Sequence, residues 1–230
     1  MQTPIVMCWS GGKDSAYALW RLQRDSRFKV EGLLTTVTEG YDRISMHGVR
    51  NSLLEAQSAA LGLELVKVWI PPQCPNALYE QRMSEAVDGL KARGVHAAAF
   101  GDLFLEDIRA YRERQCAGAG IAAHFPLWGE DTHALARRMV AEGFRATLCC
   151  IDPRRLPAEY AGRAFDSALL DGLPPDVDPC GENGEFHTFV HGAPNMPAPV
   201  SIRVGAIVER DGFVFADLLP PDGLDEDTGR

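Results

Sequence analysis

Apolar and polar positions alternate in blocks along the first two thirds of the chain. Short apolar runs predict buried strands, and stretches with apolar residues every three or four positions predict helices that pack on a sheet. We therefore predict strands at 4–9, 30–37, 64–69, 96–100, 122–125 and 145–151. Helices are predicted at 14–25, 49–61, 77–93, 105–117 and 132–142. This alternation is typical of βαβ units and predicts an α/β fold with a parallel sheet.

The pattern changes after residue 156. Residues 173–199 are rich in Pro, Gly, Asp and Asn and predict a long ordered loop, a type of segment that often carries function. In residues 200–219, apolar residues alternate with polar ones on either side of Asp211 and Gly212, and this pair is a strong turn signal. The pattern predicts a β-hairpin. We expect a first domain at 1–155, a loop-rich and hairpin subdomain at 156–222, and a disordered tail at 223–230.

Composition narrows the class of protein. The chain has 230 residues, 46% of them hydrophobic, and a net charge of −9 without a basic run, which lowers the expectation of a nucleic-acid partner. Neither a signal peptide pattern nor an apolar stretch of about 18 residues is found, so we expect a cytoplasmic protein with no membrane partner. The six cysteines form no CxxC pair, which argues against a zinc ribbon. The oligomeric state stays open, with a homodimer as one option.

The strongest chemical signal is the string SGGKDS, which lies between a predicted strand and a predicted helix. It consists of Ser10, Gly11, Gly12, Lys13, Asp14 and Ser15. Small residues let the backbone approach a polyphosphate, and the start of a helix offers unpaired N–H groups and the positive end of the helix dipole. Lys13 adds a cation and the serines add hydroxyl donors, whereas Asp14 suits helix capping or Mg²⁺. The string predicts a phosphate-binding loop.

Two better-known phosphate loops are excluded. A Walker A loop needs Gly where Met7 stands and Ser or Thr where Asp14 stands, and the dinucleotide fingerprint GxGxxG does not fit either. The string instead resembles the SGGxDS signature of the PP-loop ATP pyrophosphatases. This resemblance implies that the loop grips pyrophosphate while a substrate oxygen attacks the α-phosphate of ATP.

Two later segments carry a closer resemblance. Gly101 and Asp102 lead into LFLEDIRAYRERQC and PLWG, and residues 178–188 read DPCGENGEFHT. With SGGKDS, these segments resemble the diphthine–ammonia ligase family over about residues 5–219. The resemblance implies a Rossmann-like, doubly wound parallel sheet of the HUP/PP-loop type, with the C-terminal subdomain on the acceptor side of the site.

The resemblance also implies a reaction. With ATP and Mg²⁺ as cofactors, a substrate carboxylate would be adenylated, and ammonia would then displace AMP to form an amide. The partners would be ATP, ammonia and a carboxylate acceptor that is not identified and is either a small molecule or a protein. Adenylation is chemically reasonable because it turns the poor leaving oxygen of a carboxylate into a good leaving group.

The implied site residues fall into groups. Pyrophosphate would lie on the SGGKDS loop, with Lys13 and Asp14 catalytic. Adenosine and phosphate contacts are implied for Thr35, Thr36, His47, Gly101, Asp102 and Arg109, the last as a phosphate contact on a helix that otherwise looks solvated. Metal ligands are implied at Asp14 and Asp102. The acceptor side, also catalytic, is implied at Glu182, Glu185 and His187.

One departure leaves the acceptor open. His187 stands where the eukaryotic and archaeal ligases have an acidic residue, and we expect none of the extra C-terminal domains that the larger eukaryotic members carry. The chain therefore resembles a small stand-alone branch, and its acceptor need not be diphthine. Two alternatives were weighed, a PP-loop enzyme that modifies tRNA and a non-catalytic adenine-nucleotide sensor. The tRNA-modifying enzymes usually need paired catalytic cysteines, and the adjacent Cys149 and Cys150 match that requirement poorly. A nucleotide sensor would have little use for the acceptor-side residues.

Overall fold

The structure is a computed structural model that describes residues 2–40, 43–44 and 48–221. Its strands are β1 Thr3–Cys8, β2 Phe28–Thr38, β3 Arg43–Ile44, β4 Leu65–Ile70, β5 Ala97–Ala99, β6 Ala122–His124, β7 Arg145–Ile151, β8 Phe186–Gly192, β9 Arg203–Arg210 and β10 Phe213–Leu219. Its helices are α1 Lys13–Arg24, α2 Asn51–Leu61, α3 Asn76–Ala92, α4 Glu106–Ala119, α5 Thr132–Ala141 and the short α6 Ser167–Asp171. Every predicted strand and helix is present, with ends shifted by a few residues. None of these helices is long and apolar enough to cross a membrane.

Five strands form the predicted parallel sheet in the order β4-β2-β1-β5-β6. The short β3 pairs antiparallel with the end of β2, where Val37 lies opposite Ile44. The order reverses between β1 and β5, which is the point where open α/β sheets bind ligands, beyond the carboxyl ends of their strands. The SGGKDS loop and residues 101–102 follow β1 and β5, so both motifs lie at this edge.

Helices cover both faces of the parallel sheet. Successive side chains of β1 belong to two different hydrophobic cores, one on each face of the sheet. Ile5 and Met7 pack with α1, α2 and α5, whereas Val6 packs with α3 and α4. Because side chains of a strand alternate between faces, this division shows a doubly wound sheet. The predicted α/β class is confirmed.

A second, antiparallel sheet has the order β8-β7-β10-β9. It corrects the prediction for residues 145–151, because β7 pairs with β8 and β10 and not with the parallel sheet. Residues 146–151 are all buried, and a continuous apolar run is equally suited to a central strand of either sheet. The division into domains at residue 155 stays a prediction, and the tail at 223–230 lies outside the described residues.

The C-terminal part contains more regular secondary structure than the sequence pattern predicts. Residues 173–199 were predicted as a loop, yet they contain β8, which is paired with β7 along most of its length. The hairpin prediction is confirmed: β9 and β10 flank Asp211 and Gly212, whose φ angles of 53° and 79° suit a tight hairpin turn. The acceptor-side motif therefore spans a loop, up to Glu185, and the strand that follows it.

Gly101 lies where the end of β5 approaches the first turn of α1. A Cβ at this position would lie 2.8 Å from the backbone N of Ser15 and 2.9 Å from the carbonyl carbon of Asp14. Both neighbours are backbone atoms at the start of a helix, so neither can rotate away. A residue without a side chain is thus required for this contact between the two motifs.

We predict that Gly101→Ala lowers the free energy of unfolding by about 1–3 kcal/mol, the usual cost of overpacking. The matched control is Gly89→Ala within α3, where a Cβ would meet nothing within 4 Å. There alanine should stabilise the helix by up to about 1 kcal/mol. Urea unfolding of both variants measures the two effects. Equal stability of Gly101→Ala and the wild-type protein would contradict the close contact.

Candidate active site

The SGGKDS loop is anchored by a glycine in the left-handed region. Gly11 has φ of +78°, which favours glycine, and its carbonyl accepts hydrogen bonds from the Val190 amide and from Gln57 Nε2, each at 2.9 Å. Gln57 also donates to the Val190 carbonyl at 2.6 Å and accepts from Trp9 Nε1 at 3.0 Å. The loop is therefore tied to α2 and to β8, and not only to its own strand and helix.

The two serines stabilise the loop from within. Their hydroxyl oxygens lie 3.0 Å apart, Ser10 Oγ accepts from the Gly12 amide at 3.2 Å, and Ser15 Oγ donates to the Gly12 carbonyl at 3.0 Å. Gly12 is the N-cap of α1 and supplies no capping side chain. Thr188 Oγ1 accepts from the first helical amide, that of Lys13, and the amides that follow it at the helix start are suited to an anion.

Lys13 is almost completely buried, with 2% of its surface exposed. Its ammonium donates to both Asp14 carboxylate oxygens, at 2.8 and 3.0 Å, and to the Cys180 carbonyl. Burial lowers the pKa of Lys13, but the nearby Asp14, Cys180 and Asp178 together outweigh burial and hold the pKa above the ordinary value. The Lys13 amide donates to Thr188 Oγ1 at 3.1 Å. This lysine thus connects the phosphate loop to the acceptor-side segment by both its backbone and its side chain.

A cleft of about 270 Å³, here called the phosphate cleft, opens above the loop. Its lining includes most of the predicted loop and acceptor-side residues: Ser10, Gly12, Lys13, Asp14, Ser15, Gly101, Asp102, Glu182 and His187, together with Cys8, Phe100, Arg112, Cys180, Gly181, Phe186 and Thr188. Three motifs that are far apart in sequence are therefore brought together at one point.

The predicted phosphate contact Arg109 lies elsewhere. Its side chain pairs with Glu113 at 2.8 Å and covers the ring of Trp128, with 4.6 Å from the guanidinium carbon to the ring centre. Arg112, almost one helical turn further along α4, lines the phosphate cleft instead and lies 3.6 Å from the Asp102 carboxylate. Sequence reasoning had placed Arg112 on the solvated helix face.

Glu182 extends from the acceptor-side loop to the residues after β5. Its Oε1 accepts from the Leu103 amide at 2.7 Å. Burial raises the pKa of the Glu182 carboxyl to about 7, and the nearby Asp14 and Asp102 carboxylates act in the same direction. A carboxyl group that titrates near neutral pH can take up or release a proton during a reaction.

The other two acceptor-side residues differ in placement. His187 lines the phosphate cleft, and burial, with Lys13 nearby, lowers its pKa to about 4, so the ring is neutral at pH 7. Glu185 is 1% exposed and accepts from the Asp178 amide at 3.2 Å and from Asn183 Nδ2 at 3.0 Å. It is absent from the lining of the phosphate cleft, and its contacts are those of a residue that shapes the loop.

A second cleft, of about 510 Å³, lies between α3, α4 and the parallel sheet. We call it the apolar cleft, because its walls include Leu34, Met83, Val87, Ala98 and Ile121. The predicted adenosine contacts Thr35 and Thr36 line it. His47, the third of them, lies outside the described residues. The two clefts share Cys8, Ser10, Phe100 and Arg112 in their linings, so they adjoin one another.

The metal prediction rests on two carboxylates. No group of three or more His, Cys, Asp or Glu side chains converges on a metal position within residues 2–40, 43–44 and 48–221. Mg²⁺, however, is commonly held by one or two carboxylates together with substrate phosphates. Asp14 and Asp102 both line the phosphate cleft, and Asp102 Oδ2 is buried without a hydrogen-bond partner. These residues fit a Mg²⁺ ion that arrives with a polyphosphate.

Sequence reasoning missed Gln57, Arg112 and Thr188 as site residues. Gln57 left a usable signal, since it is a polar residue on the apolar face of α2, between Leu54 and Leu61. A fully buried amide needs partners, and here those partners are the phosphate loop and β8. Thr188 left no such signal, because its partner is 175 positions away.

A comparison with known protein families identifies the family of this chain. A family model of the diphthamide synthase N-terminal domain matches residues 2–123, which is more than half of the chain. The protein therefore belongs to this family of ATP-using PP-loop enzymes. The match includes SGGKDS and Asp102 but ends before the acceptor-side motif. No curated protein matches the chain significantly.

The raised pKa of Glu182 predicts a pH-dependent stability. A carboxyl group whose folded-state pKa is about 7, above its ordinary 4.5, favours the folded state below pH 4.5, and this contribution is lost as the pH rises to 7. Glu182→Gln should remove this loss and keep the hydrogen bond from Leu103. As the pH rises from 5 to 8, we expect the free energy of unfolding of Glu182→Gln to exceed that of the wild-type protein by on the order of 1–2 kcal/mol, after allowance for solvent screening. Urea unfolding across this range, without ligand, measures it.

The control for this prediction is Glu159→Gln at an exposed position. Its stability should follow that of the wild-type protein at every pH. A stability difference between Glu182→Gln and wild type that stays constant from pH 5 to 8 would contradict the assigned pKa.

Proposed function

We propose that the protein is an ATP-dependent amidoligase of the diphthine–ammonia ligase type. In the first step a substrate carboxylate oxygen attacks the α-phosphate of ATP, the bond to the β-phosphate breaks, and an acyl adenylate and pyrophosphate form. In the second step ammonia attacks the acyl carbon, AMP leaves, and a proton is released as the amide forms. The acceptor is a carboxylate on a small molecule or a protein.

One observation carries this proposal: the phosphate cleft and the apolar cleft adjoin and share four lining residues. A nucleotide with its adenine between α3 and α4 and its terminal phosphates on the SGGKDS loop would have its α-phosphate where the clefts meet. Glu182 and His187 lie on the acceptor-side wall of the same cleft. This arrangement supports attack at the α-phosphate and release of pyrophosphate on the loop.

The residues of the site would divide the work. Asp14 and Asp102 would hold Mg²⁺, which when bound supplies charge stabilisation for the phosphates. The amides at the start of α1 would orient pyrophosphate, the two serine hydroxyls would hold the loop in shape, and Lys13 would keep the loop closed against the acceptor-side segment. Glu182, with a pKa of about 7, is suited to accept the proton that the attacking ammonia loses. His187 is neutral at pH 7 and would serve as a hydrogen-bond partner, while Glu185 would shape the loop.

The alternatives have less support from the structure. A tRNA-modifying thiolation enzyme needs reactive cysteines, but Cys149 and Cys150 are both buried, and burial raises the pKa of the Cys150 thiol to about 12. A sensor has no need of a carboxyl group titrating near pH 7 beside the phosphate loop.

The proposal predicts the products of the reaction. With labelled ATP, Mg²⁺, ¹⁵N-ammonium and heat-treated cell extract as the source of acceptor, AMP and pyrophosphate should form in equal amounts. The acceptor should gain one ¹⁵N atom, which mass spectrometry detects. Release of ADP and phosphate would contradict cleavage between the α- and β-phosphates. AMP release without ¹⁵N incorporation would contradict the amidoligase assignment alone.

A substitution ties these products to the site. Asp14→Asn should reduce AMP formation roughly 100-fold, because it removes a charge that holds the metal beside the phosphates. The matched control is Asp171→Asn, at a side chain that is 63% exposed and pairs with Arg137. That variant should react like the wild-type protein. Unchanged turnover by Asp14→Asn would show that the loop is not the reactive site.

A further inference from the structure

The junction of the two clefts is lined by Cys8, Ser10, Phe100 and Arg112. Only Arg112 among them carries a charge. Burial raises the pKa of the Cys8 thiol to about 12, so it stays protonated, and the Ser10 hydroxyl is engaged with Ser15 and the Gly12 amide. An anionic group at this junction would therefore find its cationic partner in Arg112.

Packing holds Arg112 in place from two sides. Its guanidinium carbon lies 4.9 Å from the centre of the Phe100 ring, and its Nε lies 3.6 Å from Asp102 Oδ2. A guanidinium stacked on a ring loses little conformational freedom when it binds a ligand. Arg112 is thus already oriented at the junction without a nucleotide.

The same geometry leaves hydrogen-bonding capacity unused. A distance of 3.6 Å is too long for a hydrogen bond, and both Arg112 Nε and Asp102 Oδ2 are buried atoms without a hydrogen-bond partner. The two atoms form an ion pair that is not closed by a hydrogen bond, so a ligand that binds either group would break no hydrogen bond between them. The guanidinium has five N–H donors and can contact Asp102 and a phosphate oxygen at once.

We propose that Arg112 binds the α-phosphate of the nucleotide and, by this contact, positions the phosphorus atom for attack. This inference rests on the proposed function for its orientation of ATP, with adenosine in the apolar cleft and the terminal phosphates on the SGGKDS loop. It assigns to α4 a specific role in the reaction. Arg109, on the same helix, takes no part.

Binding of two probes tests the assignment without turnover. Calorimetry with adenosine and with AMP isolates the contribution of a single phosphate group. Wild-type protein should bind AMP more tightly than adenosine, and Arg112→Gln should lose about 10- to 100-fold in AMP affinity with little change for adenosine. Arg109→Gln should bind both like the wild-type protein. Arg112→Lys keeps the charge without the planar fork and should fall between wild type and Arg112→Gln for AMP.

Several outcomes would overturn the assignment. They are wild-type protein that binds AMP no better than adenosine, Arg112→Gln that loses affinity for both probes equally, and Arg109→Gln that loses AMP affinity as much as Arg112→Gln. Arg112→Lys provides the same comparison if the Gln variant does not fold. Because no ATP is consumed, a failure of the proposed reaction would leave this result unaffected, and the two failures can be told apart.

Discussion

The site depends on the contact between the phosphate loop and β8. Val190 donates its amide to the Gly11 carbonyl, and Thr188 accepts from the Lys13 amide, so the loop of the first sheet is hydrogen-bonded to an edge strand of the second. The buried Lys13 ammonium strengthens this contact by donating to the Cys180 carbonyl. Since buried polar groups need partners, the conformation of the loop and the position of the acceptor-side segment are determined together. The C-terminal part of the chain is therefore structurally part of the nucleotide site.

The charges of the phosphate cleft also depend on that contact, because it brings the acceptor-side segment to the phosphate loop. Asp14, Asp102 and Glu182 share the phosphate cleft with Lys13 and Arg112, so carboxylates outnumber the fixed cations there. One consequence is the pKa of Glu182, which burial raises to about 7 with the other two carboxylates contributing. The two aspartates and the two cations otherwise balance in charge, so the cleft offers a polyphosphate little net positive charge unless Mg²⁺ comes with it. The cleft is consistent with the ATP-using class to which the family belongs.

In helix α4, the periodicity of apolar and polar residues does not distinguish the two arginines that the structure separates. Arg109 and Arg112 lie three positions apart and are both compatible with a solvated face in sequence. The tertiary structure separates them, because Arg109 meets Trp128 and Glu113 while Arg112 turns to Phe100 and the end of β5. Sequence spacing indicates which residues share a helix face. It does not indicate what lies opposite that face, since the opposing residues come from distant parts of the chain.

The sequence by itself determined the parallel α/β domain, the strand–loop–helix setting of SGGKDS, the hairpin at Asp211 and the family. These features depend on local periodicity, turn chemistry and short strings, all of which are contained within a few tens of residues. Only the tertiary structure decided that β7 joins the second sheet, that β8 forms within a predicted loop, and that Glu185 is buried and does not line the phosphate cleft. Those outcomes depend on hydrogen bonds between residues far apart in sequence, such as Lys13 with Thr188, and an apolar strand carries no local mark of the partner it will pair with.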